Sequence, residues 1–99
     1  MPRCVLTEAA LADLRSLLNW YEVQGDPDAG IRLTQALLGR IEQLEQFPLS
    51  GRQVPEFDQP SLRELIQPPY RIVYRLVGSA VQVLRIWRSE RLLPEVDQL

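Results

Sequence analysis

The chain has 99 residues, of which 45% are hydrophobic, and a formal net charge of −2. This length fits one domain, the apolar fraction is too high for a disordered chain, and no apolar run approaches the ~20 residues that span a bilayer. The chain has no histidine and a single cysteine, Cys4, which excludes imidazole acid–base chemistry, histidine metal ligation and an internal disulfide. Its first residues lack the apolar core of a signal peptide, so we expect a cytoplasmic protein.

Charge is divided unevenly along the chain. Residues 1–50 hold four arginines and seven acidic residues, whereas residues 63–91 hold six arginines and two acidic residues. All eleven basic residues are arginine, which is typical of a GC-rich genome but also means that any anion contact uses bidentate guanidinium groups. An acidic first half followed by a basic segment suggests an anionic partner for the second half.

The first half predicts two helices. A short strand candidate at residues 3–6 precedes Thr7, a suitable N-cap, and apolar residues at helical spacing continue towards Gly25. The Asp-Pro-Asp sequence at residues 26–28 begins a second helix, which ends before Pro48. The expected inner faces are Leu11, Leu14, Leu17, Leu18 and Tyr21 in the first helix, and Ile31, Thr34, Leu37, Leu38, Ile41 and Leu44 in the second. Because the link is short, the helices should pack as an antiparallel hairpin.

The second half predicts an antiparallel sheet. Residues 48–61 contain three prolines and one glycine, a composition that predicts an irregular loop. Residues 61–67 are a modest strand candidate, and residues 70–77 are a strong one that leads through a two-residue turn into a strand over residues 80–89. Strands that follow one another pair antiparallel, so the predicted fold class is a single-domain α+β protein with the helical hairpin on one face of the sheet.

Side-chain alternation assigns the strand residues to two faces. Tyr70 and Tyr74 share a face that we expect to be core, and Arg71 and Arg75 share the opposite face. In the last strand, the alternation places Val81, Val83, Arg85 and Trp87 on one face and Leu84, Ile86 and Arg88 on the other. Trp87 either closes the core or stands exposed as a contact residue.

No catalytic motif is present. The chain lacks a P-loop, a dinucleotide-binding glycine motif and a nucleophile elbow, and without histidine the usual triad fails. We expect the carboxylates Glu56, Asp58 and Glu64 to be solvated loop charges, and Glu64 beside Arg63 fits a structural ion pair. The arginines of the last strands are either a solvated face that discourages edge aggregation or a surface for an anion or partner, and composition leaves both alternatives open.

Five segments have the order and spacing of one known family. They are TEAALADL from Thr7, LxxxPxxGR over residues 44–52 with VPE behind it, LREL at 62–65, YRIVYR at 70–75 and VxVLRIWR at 81–88. With these segments the chain resembles the ParE/RelE toxin superfamily of bacterial toxin–antitoxin modules. The resemblance implies a helical hairpin packed on an antiparallel sheet, and a toxin that a cognate antitoxin neutralises.

The superfamily has two branches with different targets. The resemblance implies either a RelE-like endonuclease that cleaves messenger RNA on the ribosome, or a ParE-like poison of DNA gyrase without a nuclease centre. Trp87 and Arg88 are followed by SERLLP, and the chain has no lysine, so the late tyrosine or histidine of the nuclease branch is missing. RNA cleavage needs an acid and a base, and arginine stays protonated. The ParE-like, non-enzymatic branch is therefore favoured, with an inactive binding module as a further alternative.

The resemblance places the effector region in the C-terminal sheet and tail. The expected effector residues are Arg71, Arg75, Arg85, Trp87, Arg88 and Arg91. The expected antitoxin contacts are Leu17, Trp20, Tyr21 and Leu33. The helices carry more apolar residues than one inner stripe needs, which fits either an antitoxin dock or a wide buried face. The expected partners are DNA gyrase and a ParD-like antitoxin. We expect contact with nucleic acid only indirectly, through gyrase or the antitoxin complex. We expect no membrane partner, no metal and no cofactor.

Overall fold

A computed structural model describes residues 3–99, in which two helices pack against a five-stranded sheet. The elements in chain order are β1 (Cys4–Leu6), α1 (Glu8–Val23), α2 (Pro27–Gln43), β2 (Arg52–Gln53), β3 (Leu62–Gln67), β4 (Tyr70–Val77), β5 (Ala80–Arg88) and a 3-10 helix (Val96–Gln98). The predicted α+β class with a helical hairpin is confirmed. No helix within this described part of the chain is long and apolar enough to cross a membrane.

The sheet is mixed, with the strand order β1-β5-β4-β3-β2. β1 pairs in parallel with β5, whereas the other neighbours pair antiparallel. The prediction of a purely antiparallel sheet is wrong at this one edge. The helical hairpin and three strands separate β1 from β5 along the chain, which is the long connection that a parallel pair requires.

Both helices begin where local sequence signals place them. The Thr7 hydroxyl accepts a hydrogen bond from the Ala10 amide at 3.1 Å, and the Asp26 carboxylate accepts one from the Ala29 amide at 3.3 Å. Gly25, with φ of +82°, makes the reversal between the helices, a conformation that suits glycine. These caps depend only on neighbouring residues, which is why the sequence predicts them.

The larger core lies between the helices and the sheet. Its buried residues are Ala10, Leu14, Leu17, Leu37, Ile41, Leu44, Leu65, Tyr70, Ile72, Tyr74, Val81, Val83 and Ile86. Tyr70 and Tyr74 therefore face the core, as predicted. The predicted inner stripes are too wide, because Leu11, Ile31 and Leu38 are 43%, 47% and 43% exposed. Each helix has the sheet on one side only, so the outer part of its apolar stripe reaches solvent.

A β-bulge in β5 changes which of its residues face the helices. The register between β4 and β5 shifts between Val73 and Tyr74, and the shift leaves Leu84 as an additional residue. Val83 and Ile86 consequently both join the core under the helices, whereas Leu84 belongs to the opposite face. The predicted alternation along this strand is wrong beyond Leu84, because one extra residue reverses every later side chain.

The second face of the sheet is covered by the loop before β3 and by the C-terminal tail. The buried residues of this smaller core are Val54, Leu62, Val73, Leu84 and Leu93, with Phe57, Trp87, Val96 and Leu99 packed against them. The tail, for which the sequence predicts no clear element, thus has a structural role. Trp87 is half-buried at the edge of this core.

Tyr74 fixes the segment that joins α2 to the sheet. Its hydroxyl donates to the Pro48 carbonyl and accepts from the Gly51 amide, both at 2.9 Å. Burial raises the pKa of Tyr74, so the hydroxyl remains a donor at neutral pH. The adjacent residues form the short strand β2, so the prediction of a wholly irregular loop over residues 48–61 is wrong.

Replacing Gly51 by alanine is expected to destabilise the fold. A Cβ atom at this position would lie 2.5 Å from the Tyr74 hydroxyl and 2.6 Å from the Glu64 carbonyl oxygen, and overpacking of this kind costs about 1–3 kcal/mol. Chemical denaturation measures the loss. Gly39→Ala is the control, because nothing lies within 4 Å of a Cβ there and alanine gains up to about 1 kcal/mol in a helix. Wild-type stability of Gly51→Ala would contradict the packing described here.

Candidate functional site

Helix α1 and the end of β5 enclose a groove of about 460 Å³, which we call the arginine groove. Helix α1 lines it with Trp20 and Asp13 among others, and the sheet and tail line it with Tyr70, Arg85, Trp87, Arg88 and Arg91. Trp20 is 51% exposed. The groove brings together four of the six expected effector residues and also contains Leu17 and Trp20, which the sequence assigns to the antitoxin contact.

Arg85 is held at the groove by an ion pair with helix α1. Its Nε and Nη2 atoms donate to the two carboxylate oxygens of Asp13 at 2.7 and 2.8 Å, and the Ile86 amide donates to the same carboxylate at 2.9 Å. This pairing raises the pKa of Arg85. The guanidinium carbon also lies 4.8 Å from the ring centroid of Trp87, within cation–π range. The pair therefore links the helix to the bulged strand.

Arg88 and Arg91 form the rim of the groove. Arg88 donates to Glu90 at 2.6 Å and lies over the Tyr70 ring, 5.5 Å from its centroid. The Glu90 carboxylate raises the pKa of Arg88. Arg91 is exposed, and it makes no ion pair with any of residues 3–99. Because acidic partners neutralise Arg85 and Arg88, the groove carries less net charge than the sequence count indicates, and Arg91 supplies most of it.

Arg71 is not on the groove surface, since it is buried on the second face of the sheet with 5% exposure. It donates to Glu56 at 2.9 Å, to Glu64 at 3.0 Å and to the Arg91 carbonyl at 2.7 Å. The Glu56 carboxylate in turn accepts from the Leu93 amide at 3.0 Å. Arg71 therefore has almost no surface for direct contact with a partner. Its hydrogen bond to the Arg91 carbonyl instead holds Arg91 in place, and the Arg91 side chain carries the unpaired charge of the groove.

Glu64 lies at the centre of this network with 1% exposure. It also accepts from Arg52 at 2.7 Å. The predicted pairing of Glu64 with Arg63 is wrong, because adjacent strand residues point to opposite faces. Arg63 donates instead to the Gly51 carbonyl at 3.0 Å. Of the three carboxylates expected to be solvated, only Asp58 is exposed.

The remaining predicted site residues are dispersed. Arg75 lies beside the end of the tail, near Glu95 and Asp97 and away from the arginine groove. Leu17 lines the arginine groove but is buried, with 3% exposure, whereas Tyr21 and Leu33 are partly buried against the core. Tyr21 also supports Trp20, with ring centroids 4.9 Å apart in an edge-to-face arrangement. Among the four expected antitoxin contacts, only Trp20 presents a large exposed surface.

The helical hairpin on this sheet, taken together with a family match over most of the chain, identifies a toxin of a type II toxin–antitoxin system. Residues 4–93 match the family described as ParE toxin of type II toxin-antitoxin system, parDE, and the chain belongs to this family. The superfamily assignment made from the sequence is confirmed, and an antitoxin is the partner that such a system provides.

Known proteins similar to this chain carry both branch names. Toxin RelE1 of Caulobacter vibrioides is 39% identical over 84 residues, which is 81% of this chain and 85% of that toxin. Toxin RelE2 of the same organism is 34% identical over 93 residues, 93% of this chain and 100% of that toxin. The solved chromosomal ParDE system from P. aeruginosa superposes with a TM-score of 0.77 at 28% identity, over 91% of this chain and 98% of that one.

The Glu56 ion pair predicts a specific loss of stability in acid. The Arg71 guanidinium lowers the pKa of Glu56 from 4.5 to about 2. Because the folded pKa lies below the unfolded one, the stabilisation is fully present above pH 4.5 and is lost as the pH falls towards 2. Thermal denaturation should show the wild type more stable than Glu56→Gln at neutral pH, with the difference closing across this range. A difference that does not change with pH would contradict the assignment.

Replacing Arg71 is expected to lower the free energy of unfolding, and not only to change a contact surface. Arg71→Ala leaves Glu56 without its cation and the buried Glu64 with Arg52 alone, and breaking a buried pair in this way costs about 3–5 kcal/mol. Arg75→Ala is the matched control four residues along the same strand. Arg75 makes no ion pair with the residues described, so the change should stay near 0.5 kcal/mol, as is usual away from such networks. Equal unfolding free energies for the two variants would exclude a structural role for Arg71.

Proposed function

We propose that this toxin binds DNA gyrase and traps gyrase on cleaved DNA, without acting as a nuclease itself. The proposed contact surface is the arginine groove, with Arg85, Trp87, Arg88 and Arg91 from the expected effector set and Trp20 from α1. The observation that carries the proposal is the composition of this groove. Tryptophan and arginine are the residues that most often supply binding energy at protein interfaces, and here they lie side by side on an open surface.

The acid–base capacity of the groove supports a binding role. Cleavage of RNA by its 2′-hydroxyl needs one group to remove a proton and another to donate one. Asp13 is engaged by Arg85 and by a backbone amide, and Glu90 is bonded to Arg88, which lowers the pKa of that carboxylate. The arginines stay protonated at any accessible pH. The arginines therefore stabilise negative charge, and the two carboxylates beside them are already held in hydrogen bonds to arginine.

A ribosome-dependent RNA endonuclease is the second candidate function. It is favoured by the RelE names of two relatives and by the position of Tyr70. The Tyr70 ring lines the groove beneath the Arg88 guanidinium, where a phenol is able to donate a proton to a leaving oxygen. The sequence pattern did not indicate this residue because Tyr70 precedes Trp87 in the chain, whereas the nuclease branch has its tyrosine after it.

The gyrase proposal predicts that purified toxin converts supercoiled plasmid into linear DNA only when gyrase is present. Arg91→Glu reverses the unpaired charge of the groove. We expect it to reduce the amount of linear DNA about tenfold or more, because loss of a central interface contact weakens binding by that much. Arg32→Glu is the control, because Arg32 is exposed on α2 and lines neither wall of the groove. Arg32→Glu should retain wild-type cleavage.

Two results would overturn the gyrase proposal. One is the absence of any gyrase-dependent cleavage with toxin that arrests growth. The other is codon-positioned cutting of messenger RNA on ribosomes that disappears in Tyr70→Phe, which would establish the second candidate instead. Growth arrest accompanied by the SOS response after toxin induction supports gyrase, since trapped gyrase leaves broken DNA.

A further inference from the structure

Leu92 is an apolar side chain that the fold leaves in solvent. It is 81% exposed, the highest value among the large hydrophobic side chains of residues 3–99. The next residue, Leu93, is 8% exposed and packs in the smaller core. The preceding residue, Arg91, is the unpaired arginine at the rim of the arginine groove. Leu92 therefore lies directly beside the free charge of that groove.

The backbone on both sides of Leu92 is held by the ion pair of Arg71 and Glu56. The Arg91 carbonyl, in the peptide unit before Leu92, accepts a hydrogen bond from Arg71 at 2.7 Å. The Leu93 amide, in the peptide unit after Leu92, donates to Glu56 at 3.0 Å. Because each peptide unit is planar, holding both of them fixes the two backbone dihedral angles between them. The ion pair therefore sets the direction in which the Leu92 side chain points.

A fixed, exposed leucine beside a free arginine is suited to bind a protein. Single apolar side chains are common on protein surfaces, but this one is held in place by buried groups. A leucine gains free energy when a partner buries it, and a side chain that is already oriented loses less entropy on binding. The complementary surface is an apolar recess next to a carboxylate. RNA presents phosphates and bases, which favour arginine and aromatic side chains over leucine.

We propose that Leu92 inserts into the toxin's protein target, and that Arg71 and Glu56 are positioning residues that direct it. Leu92 enters an apolar recess of the target, and Arg91 contacts a carboxylate beside that recess. The contact surface thus extends beyond the arginine groove onto the tail. The inference rests on the proposed function, in which the target is gyrase.

The first test is the affinity of the purified toxin for gyrase on DNA, measured by surface plasmon resonance. Leu92→Ala is expected to weaken binding about tenfold or more, because it removes the apolar side chain that the target buries. Leu49→Ala is the matched control, since Leu49 is 63% exposed and lies outside the groove. Its affinity should equal that of the wild type. Both leucines are exposed, so neither change should alter the melting temperature.

A double-mutant cycle tests the positioning role of Glu56. Glu56→Ala is expected to weaken gyrase binding about fivefold or more in the wild type, but less than about twofold in Leu92→Ala, because its effect passes through Leu92. Trp20→Ala, on the helix wall of the groove, should combine additively with Glu56→Ala. Glu56→Gln retains an oxygen that accepts from the Leu93 amide, so it should restore most of the affinity. Binding is measured at a temperature at which thermal denaturation shows every variant folded.

The outcomes distinguish this inference from the proposed function. Wild-type gyrase affinity of Leu92→Ala would overturn the inference and leave the proposed function intact. If Leu92→Ala kept that affinity but lost codon-positioned cutting of messenger RNA, the residue would act on the ribosome instead. Additive effects of Glu56→Ala and Leu92→Ala would overturn the positioning role. A wild-type toxin that does not bind gyrase would overturn the proposed function and this inference with it.

Discussion

The guanidinium of Arg71 lies in the middle of one face of the sheet, and the arrangement of that face depends on it. A charge buried in apolar surroundings costs several kcal/mol unless it is paired and hydrogen-bonded. Glu64 supplies one partner from the adjacent strand, and Glu56 supplies another from the loop before it. Arg71 also bonds to the Arg91 carbonyl. The loop and the tail must therefore both be in place before this charge is satisfied.

This constraint connects the buried face to the groove at its edge. The tail residues after Arg91 close the smaller core with Leu93, Val96 and Leu99. The same segment places Arg91 at the groove rim. An ion-pair network inside the protein thus determines the position of the one unpaired arginine of the groove. The bulge at Leu84 also shapes the groove, because it reverses the faces of the later residues of β5 and so turns Trp87 towards the smaller core.

The charge of the arginine groove is set by pairing as much as by composition. Asp13 and Glu90 each bind one of its three arginines. The groove therefore combines tryptophan with one free positive charge, and we propose it for the toxin's target.

The parts of the fold that were predictable depend on short-range signals. The caps at Thr7 and Asp26 and the turn glycine at Gly25 act through residues a few positions away. The β4–β5 hairpin follows from alternation over neighbouring residues. The motif around Gly51 marked the superfamily from the sequence, but its physical reason, close packing against the Tyr74 hydroxyl, required the structure. Other features depend on residues far apart in the chain, including the parallel edge strand, the bulge and the cover formed by the tail.

By itself, the sequence determined the helical hairpin, the strand pairing of the second half, the superfamily and the absence of histidine chemistry. Only the tertiary structure decided which arginines are free. Arg71, Arg85 and Arg88 each lie next to a carboxylate, and two of these pairs join residues far apart in the chain. Charge counting treats all arginines alike, whereas burial and pairing are set by packing between distant segments. For that physical reason the arginine-rich strands were predictable, and the surface they form was not.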